Sequence, residues 1–565
     1  MSDSSPSYFT RRQWLGRVSG PAVVASLGAG LAARSLGADA AADAPTSASD
    51  ANRGARIYNI RDHGAKGDGT SLDSAAVQAA IDLCAQDGGG TVLVPAGDFV
   101  VGTLELRSHV TLHLAARGRL LGSADPAHYR AGAGIPSGNG NIVLLSAHDA
   151  DNVTIEGPGT IDGNGARFFN GRGDNTGPGA KSSEGYFQRP HLLVFHRCRN
   201  LRLRDAFLTA SAYHCVRILE CERVFIEGVR IHNRVNKNND GFHFNSSRYV
   251  HISNCDVACQ DDACALFGSN QFVTVVNSSF STRWSVFRFG GGEAENITIS
   301  NCLIYETYGC PIKMRCGARS RFENITFSNL ILKDVTGPIS IGLDSRSRRP
   351  SSDRRPATPG VVRNIAFNGI RASVVGVGRQ HADLPFPSEY RPGETRTCIT
   401  LNGVGEEFLE NISFTDVQVT FDGGGTAEEA GRAIPQLAGE YFEIGTPSAY
   451  GLFARNVRGL TLNGVRFEMR QPDARPAVVL ERVADASFNS FAAQGSPSAQ
   501  ALVRCVDSHD LLLTACRVLT PVSIFLRAEG AACAGITIDG GDLTKAGSSV
   551  MLEKGAAPTA ARTRG

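Results

Sequence analysis

The chain has 565 residues, of which 42% are hydrophobic and 20% are charged, with 63 glycines and 24 prolines. This composition is globular and favours many short strands and turns over long helices. The net charge of +2 is too small to indicate a nucleic acid or an anionic membrane as a partner.

The N-terminus carries a basic pair followed by an apolar stretch. Arg11 and Arg12 precede a run of small and apolar residues at 18–36. This order is typical of a twin-arginine export signal, and the alternative is a disordered basic tail. We expect residues 1–44 to be the signal peptide with the start of a linker and residues 45–55 to be linker. The mature protein is then bacterial and periplasmic or secreted, with no membrane association after cleavage.

The first part of the mature chain contains the only helical pattern that we single out. Apolar residues at helical spacing follow Asp73 and continue to Gln86, where a glycine triplet begins at Gly88. A single helix before a long series of strands would cover one open end of a repeat core. We therefore predict an N-terminal capping helix.

A short strand pattern then recurs thirteen times, and its central and C-terminal repeats are spaced by about 23 to 28 residues. Each copy alternates apolar and polar residues over a few positions and turns on Asn or Gly, as a strand with one buried face does. The copies begin at Asn152, Asn200, Arg223, Tyr249, Phe272, Asn296, Asn324, Asn364, Asn411, Gly459, Asp485, Asp510 and Gly535.

A strand that recurs once in every coil pairs most simply with its neighbours by parallel stacking. The repeats predict an all-β fold, a single-stranded right-handed parallel β-helix, over residues 56–555. We expect a disordered tail over 556–565 and a monomer. Longer gaps predict loops at 345–359 and 374–396, which either wall a groove or remain solvated.

The fourteen cysteines would be permitted to form disulfides in an exported protein. Several of them recur at equivalent repeat positions, such as Cys198 and Cys221, each two residues before a strand pattern. Stacked small apolar side chains explain this recurrence at least as well. We expect mostly free, buried thiols, with room for one or two bridges.

Successive coils can be aligned on their buried residues as Gly-Phe-His-Phe, Ala-Cys-Ala-Leu, Val-Phe-Arg-Phe and Pro-Ile-Lys-Met, beginning at Gly241, Ala263, Val286 and Pro311. The second and fourth members are apolar and face the core, so the third member should face solvent. The coil before these four and the coil after them add one equivalent position each, and four of the resulting six outward positions can be cationic. The outward positions are Arg217, His243, Ala265, Arg288, Lys313 and Ser340.

Three carboxylates precede this strip in two neighbouring coils: Asp240, Asp261 and Asp262. Crowding makes full ionisation costly and should raise at least one pKa. A protonated carboxyl beside ionised partners is suited to glycosidic cleavage, in which one group protonates the leaving oxygen and another activates water. The alternative is that these residues only cap turns, as Asp and Asn do elsewhere in the chain.

Two of these motifs resemble those of a known family. NNDG at Asn238 and QDD at Gln260 are similar to the NTDG and paired-aspartate motifs of glycoside hydrolase family 28, the polygalacturonases. TIDGNG at Thr160, RPHLLVFHRCRNLRLRD at Arg189 and the segment that opens the mature domain are also similar, so the resemblance covers residues 57–345.

The resemblance implies a right-handed parallel β-helix that hydrolyses pectic chains with inversion, without a metal or cofactor. It implies that Asp261 is the general acid and that Asp240 and Asp262 position and deprotonate the water. In such enzymes the acid and base carboxyls lie about 6.5 to 9.5 Å apart.

Two departures from the family affect the expected groove. Trp284-Ser285-Val286 replaces Gly-His-Gly, which removes a histidine that supports the aspartates, and Pro311 replaces the arginine of Arg-Ile-Lys. Arginines elsewhere could restore the pairing with a uronate carboxylate. The expected substrate-binding residues are Asn238, Arg217, His243, Arg288, Lys313 and Arg315.

Two other functions remain open from the sequence. A polysaccharide lyase acting on a uronate polymer would use the three aspartates as calcium ligands. A non-catalytic glycan-binding β-helix would bind without turnover. The substrate also stays open between homogalacturonan, rhamnogalacturonan, other uronate polymers and a neutral galactan, as does endo or exo action.

Overall fold

The computed structural model describes residues 54–132, 134–135, 142–168, 189–343, 358–388, 390, 394, 396–437 and 441–564. The predicted export signal, nearly all of the predicted linker and most of the loop at 345–359 lie outside these residues. Among the described helices, none is long and apolar enough to cross a membrane.

Most strands belong to three ladders of parallel pairs, which we call the first, second and third ladder. The first ladder contains the recurring strand pattern. Its strands are β1 (Ile57–Asn59), β3 (Gly90–Val94), β6 (Val110–Leu114), β10 (Thr154–Glu156), β13 (Arg199–Arg204), β16 (Glu222–Glu227), β19 (Arg248–Ser253), β22 (Gln271–Val276), β25 (Glu293–Ser300), β28 (Arg321–Val335), β30 (Val361–Val374), β32 (Leu409–Phe421), β33 (Leu452–Asn463), β35 (Val478–Asn489), β38 (His509–Val518), β40 (Ile536–Asp542) and β42 (Ala561–Arg564).

The second ladder runs beside it, and the long strands β28, β30, β32 and β38 take part in both. Its other strands are β2 (Asp68–Leu72), β4 (Gly97–Val101), β7 (Gly118–Gly122), β11 (Thr160–Asp162), β14 (Phe207–Thr209), β17 (Arg230–Asn233), β20 (Asp256–Cys259), β23 (Ser279–Thr282), β26 (Leu303–Tyr305), β34 (Arg466–Met469) and β36 (Ala492–Ala493).

The third ladder carries the candidate site, and β33 and β35 also extend into it. Its other strands are β5 (Leu104–Glu105), β9 (Ile142–His148), β12 (His191–His196), β15 (Val216–Leu219), β18 (Phe242–Asn245), β21 (Cys264–Phe267), β24 (Phe287–Gly290), β27 (Ile312–Cys316), β29 (Ile339–Leu343), β31 (Ile399–Asn402), β37 (Val503–Val506), β39 (Val522–Glu529) and β41 (Ala546–Glu553). The short strand β8 (Arg130–Ala131) pairs with β9 in the antiparallel sense.

The stacking of these ladders is a parallel β-helix, as the repeats predicted. All thirteen copies of the strand pattern fall in the first ladder, and their central apolar residues are in register, as in Ile155 with Leu203 and Ile226 with Ile252. These residues face one continuous core. Phe367 lies in it between Phe327 and Phe414, with ring centroids 5.1 and 4.9 Å away.

The turn that opens each copy has a distinct backbone conformation. The first residue of every copy has a positive φ, for example 57° at Asn364 and 63° at Gly535. Glycine and asparagine tolerate this left-handed region best, which explains their frequency at the turns. Asparagine side chains also bond along the stack, because Asn364 donates to Asn324 at 3.1 Å and accepts from Asn411 at 3.1 Å.

The principal helix, α1 (Ser74–Gln86), buries Val77, Ala80, Ile81 and Cys84 in the same core. Asp73 holds the N-cap position, but its carboxylate accepts from the backbone of Lys66 and Gly67 instead of the helix. Shorter helices are α2 (Ala427–Ala430) and α3 (Tyr441–Ile444), and 3-10 turns cover Ile60–His63, Pro126–His128 and Gly165–Phe168.

The C-terminus differs from the expected disordered tail. Ala561–Arg564 forms β42 and pairs in parallel with residues 536–539 of β40. The prediction of disorder over 556–565 is therefore wrong for this strand, because its backbone continues the first ladder by one more coil. The expected free thiols are found, since all fourteen cysteines are buried and unbridged.

Candidate active site

The third ladder brings the predicted strip into register. Backbone pairing places Arg217 beside His243, His243 beside Ala265, Ala265 beside Arg288, and Arg288 beside Lys313. Ser340 follows Lys313. The coil alignment made from the sequence is therefore confirmed residue by residue.

The expectation that this strip faces solvent is wrong for most of its members. Arg217 is 6% exposed and Lys313 is 4% exposed, while His243 is half-buried. The long cationic side chains lie against neighbouring rings and carbonyls instead of extending into water. Such burial strengthens their electrostatic effect on nearby groups.

Asp240 lies two residues before β18 and is buried. His243 Nδ1 is 2.7 Å from its Oδ2, and His214 Nε2 is 3.8 Å from the same oxygen. His243 is thus a hydrogen-bond partner of a candidate catalytic carboxyl, a role that differs from the substrate contact expected for it.

Asp261 and Asp262 lie together in the next coil and are half-buried. Asn238 Nδ2 donates to Asp261 Oδ2 at 3.2 Å, and the Asp262 backbone N–H donates to Asp261 Oδ1 at 2.9 Å. Ser285 donates its backbone N–H to Asp262 Oδ1 at 3.3 Å. Asn238 therefore links the two coils that supply the carboxyls.

The electrostatics of the cluster favour protonated carboxyls. Burial, followed by the charge of Asp262, raises the pKa of Asp240 well above its ordinary value, against the opposing effect of Arg217. Burial and the charges of Asp240 and Asp262 likewise raise the pKa of Asp261, and Lys313 opposes this. Groups this close titrate as a unit, so protons are shared across the cluster.

The nearby histidines are held neutral. Burial and the charge of Arg217 lower the pKa of His243 from 6.5 to about 3. Burial, with the charge of His243 next, also lowers the pKa of His214 well below 6.5. Neutral imidazoles can donate one hydrogen bond and accept another, so these residues can bond to a carboxylate without carrying a charge.

The cations of the strip contact aromatic rings near the carboxyls. The Arg288 guanidinium lies 5.5 Å from the Phe267 ring centre and donates to the Phe289 carbonyl. Lys313 Nζ lies 5.3 Å from the Trp284 ring and donates to the Gly309 carbonyl at 3.3 Å. Both positions are compatible with binding a carboxylate beside the cluster.

Arg315 lies further along the same coil, where its Nη2 is 3.4 Å from Glu443 Oε2. Glu443 belongs to α3, which precedes the next third-ladder strand. Arg315 thus already has a carboxylate partner from the protein, and a uronate would have to share or replace it.

The described residues of the loop at 374–396 are anchored to the turns that follow the second-ladder strands β17 and β23, and they are not a free excursion. Arg234 contacts Asp383 at 2.9 Å, and the buried pair Arg283 and Glu394 contact each other at 2.9 Å. Arg283 directly precedes Trp284. The loop is therefore tied to the coil that follows the paired aspartates.

Sequence reasoning missed several members of the site. Arg189 donates to Asn238 Oδ1 at 3.3 Å, and His191 lies 3.2 Å from Arg217 Nη1. Both belong to the RPHLLVFH segment that was used only for its resemblance. The other missed members are His214, Trp284 and Glu443, and their contacts come from coils or insertions that no local pattern connects.

A parallel β-helix with clustered carboxyls of raised pKa and adjacent cations is suited to the acid–base chemistry of glycoside hydrolases. Comparison of the sequence with known families places the chain in that class. The family described as Glycosyl hydrolases family 28 matches residues 84–382, more than half of the chain. The chain belongs to this family, and it is a glycoside hydrolase.

Individual relatives share about a quarter to a third of their aligned residues with this chain. An exopolygalacturonase of Platanus acerifolia is 24% identical over 57% of this chain and 83% of its own length. An exo-poly-alpha-D-galacturonosidase of Dickeya chrysanthemi is 32% identical, over 37% of this chain and 41% of its own length. The match thus spans less than half of the Dickeya protein.

Solved structures agree on the fold. A family 28 exopolygalacturonase of Yersinia enterocolitica has a TM-score of 0.58 and 21% identity, covering 76% of this chain and 78% of its own. A hyperthermoactive exopolygalacturonase of Thermotoga maritima has a TM-score of 0.54 and 18% identity, covering 73% and 92%. At these identities the likeness concerns the fold alone.

Proposed function

We propose that this glycoside hydrolase cleaves a pectic, galacturonate-containing polysaccharide by a single displacement with inversion. The observation that carries the proposal is the cluster of the buried Asp240 with the half-buried Asp261 and Asp262, in which desolvation and mutual repulsion raise the pKa of Asp240 and Asp261. Such a cluster holds a proton donor and an ionised acceptor at the same pH.

In the proposed reaction Asp261 donates its proton to the glycosidic oxygen as the bond to the anomeric carbon breaks. Asp240 and Asp262 hold a water on the opposite face of the sugar and accept its proton as it attacks. The acid and base carboxyls of an inverting enzyme lie about 6.5 to 9.5 Å apart, which leaves room for this water.

The proposed substrate follows from the cations beside the cluster. Arg288 and Lys313 are buried, next to aromatic rings and within the same register column. A buried cation favours an anionic sugar over a neutral one, because a carboxylate accepts charge-assisted hydrogen bonds that a hydroxyl does not match. The names of the Platanus and Dickeya relatives, both galacturonate-cleaving enzymes, support the same choice.

The proposal is tested by measuring reducing ends released from a panel of pectic and neutral polysaccharides, with Asp261→Asn as the control. We expect release from polygalacturonate and a loss of about 100-fold or more in the variant. Equal activity of the variant, or release only from a neutral polymer, would contradict the proposal. Ultraviolet absorbance of an unsaturated product would indicate a lyase.

Further proposals concern the whole protein. We infer a right-handed coil with α1 as the cap of its first turn, a monomer, and export by the twin-arginine route to the periplasm or beyond. Fourteen buried, unbridged cysteines support that route, because a chain that folds before export does so in a reducing compartment. Replacing Arg11 and Arg12 with lysines should retain the protein in the cytoplasm.

A further inference from the structure

Among the described residues, His243 makes the shortest polar contact with Asp240. Its Nδ1 lies 2.7 Å from Asp240 Oδ2, three residues earlier in the chain. A carboxylate oxygen can only accept, so Nδ1 carries the proton when Asp240 is ionised. This hydrogen bond therefore selects one tautomer of the imidazole.

The orientation of the His243 ring is held by rings from both neighbouring coils. His214, from the preceding coil, stacks on it at 4.7 Å with an interplanar angle of 12°. Phe267, from the following coil, stacks at 5.2 Å with an angle of 4°. A ring between two parallel neighbours cannot rotate about χ2 without displacing one of them.

The contacts of Asp240 are distributed unequally between its two oxygens. Within the described part of the chain, its recorded hydrogen bond and ion pairs to side chains all involve Oδ2. A carboxylate held through one oxygen presents the other in a defined direction. If Asp240 activates water, as proposed above, Oδ1 is the oxygen available to it.

We propose that His243 is a positioning residue for Asp240, with the His214 and Phe267 rings fixing its orientation. The Nδ1–H bond holds Oδ2, stabilises the ionised carboxylate and directs Oδ1 towards the attacking water. This inference rests on the proposed function for the role of Asp240, whereas the hydrogen bond and the ring stack are independent of it.

A metal ion is the competing explanation for this cluster. One ligand atom from each of His214, Asp240 and His243 lies within 4.8 Å of the others. A metal binds in the plane of an imidazole ring, however, and two rings stacked at 4.7 Å and nearly parallel have planes that do not meet at one ion. The geometry therefore fits a shared proton better than a shared metal.

Other charged or titratable groups act on the same carboxyl and must be held constant in a test. Besides the two histidines, they are Arg217, Asp261, Asp262, Cys215 and Cys259. Substitutions at His243 leave all of these in place.

Two variants separate the hydrogen bond from the stack. His243→Phe keeps a ring between His214 and Phe267 but removes the donor, and His243→Asn keeps an N–H near the position of Nδ1 without the ring. We expect His243→Phe to lower kcat on polygalacturonate by about 10- to 100-fold with little change in KM. The acidic limb of its pH profile should move to higher pH, because Asp240 loses a bond to its ionised form.

His243→Asn should retain kcat within about tenfold of the wild type, which a purely structural role of the ring would not explain. His251→Phe, at an exposed first-ladder position, is the matched control and should behave as wild type. The proposal would be overturned if His243→Phe had the kcat and pH profile of the wild type. It would also be overturned if a chelator lowered the kcat of the wild type to that of His243→Phe, because His243 would then act through a metal.

A measurement without substrate separates this inference from the proposed function. In protein labelled with ¹⁵N-histidine, the His243 signal, identified by its absence from His243→Phe, should show the Nδ1–H tautomer at pH values above the acidic limb of the activity profile, where Asp240 is ionised. An Nε2–H tautomer would overturn the inference even if polygalacturonate is cleaved. Absence of turnover in wild type with the Nδ1–H tautomer present would contradict the proposed function instead.

Discussion

The first and third ladders are built from similar short strands, but the polar residues that lie in register in neighbouring coils differ between them. In the first ladder, Asn324, Asn364 and Asn411 repeat one residue type and bond to one another. In the third ladder, one register column changes from His243 to Arg288 within two coils, and each side chain has a different kind of partner.

The difference shows how a repeat fold can acquire a site. Identical residues in register add the same small stabilisation at every coil, as expected for a fold stabilised by nearest-neighbour contacts. Different residues in register place unlike groups about one strand spacing apart, close enough to change each other's pKa. Substitutions in the two ladders should therefore affect different properties.

The largest effect is expected in the carboxyl cluster. Asp262→Asn should lower kcat by about 100- to 10,000-fold, because the proposed reaction loses part of its base, while the melting temperature stays within a few degrees of wild type. Initial rates of reducing-end release and a thermal melt measure the two quantities. A variant that loses activity only in proportion to its folded fraction would show that Asp262 acts in stability.

A smaller effect is expected at Lys313. Lys313→Ala should raise KM for oligogalacturonate by about 10- to 100-fold, since it removes a charged partner of the uronate carboxylate. Lys333→Ala is the matched control, because Lys333 lies on β28 with an exposed side chain. An unchanged KM in Lys313→Ala would remove this residue from the binding site.

In the first ladder we expect a loss of stability without a loss of catalysis. Asn364→Ala removes two side-chain bonds from a residue with φ of 57°, and it should cost about 1 to 3 kcal/mol of unfolding free energy. Asn364→Gly keeps the turn conformation accessible and should cost less. Denaturant unfolding compares the stabilities of the two variants. A changed KM in either variant would contradict the view that this first-ladder position affects stability alone.

The smallest effect is a pH-dependent stabilisation by Asp261→Asn. Because the pKa of Asp261 is raised in the folded protein, its protonated form favours folding, and that contribution is lost as pH rises through the raised pKa. The variant should therefore have a higher melting temperature than the wild type at about pH 7. The difference in melting temperature should vanish at pH values below 3.8, the ordinary pKa of an Asp carboxyl. A difference that grows as pH falls would contradict the raised pKa.

The sequence predicted what repeats locally. The alternation of apolar and polar residues and the Asn turns located every copy of the strand pattern in the first ladder. The spacing of the repeats correctly aligned Arg217, His243, Arg288 and Lys313. It did not predict how deeply these side chains are buried. Their exposure depends on rings and carbonyls from other coils, which a pattern of residue types does not contain.

Long-range partners were missed for the same reason. His214 stacks on His243 from 29 residues away, and Glu443 reaches Arg315 from 128 residues away, through an insertion of no repeating pattern. The strand at Ala561–Arg564 was also missed, because Ala-Arg-Thr-Arg has little apolar alternation and its order comes from backbone pairing with β40. Such contacts follow from the assembled coil.

The stereochemistry of the first product tests the central claim most directly. Proton NMR during cleavage of α-linked oligogalacturonate should show the β anomer first for wild type, with no new signal from Asp261→Asn over the same interval. Initial appearance of the α anomer, an unsaturated product, or equal turnover by Asp261→Asn would contradict single displacement by this carboxyl cluster.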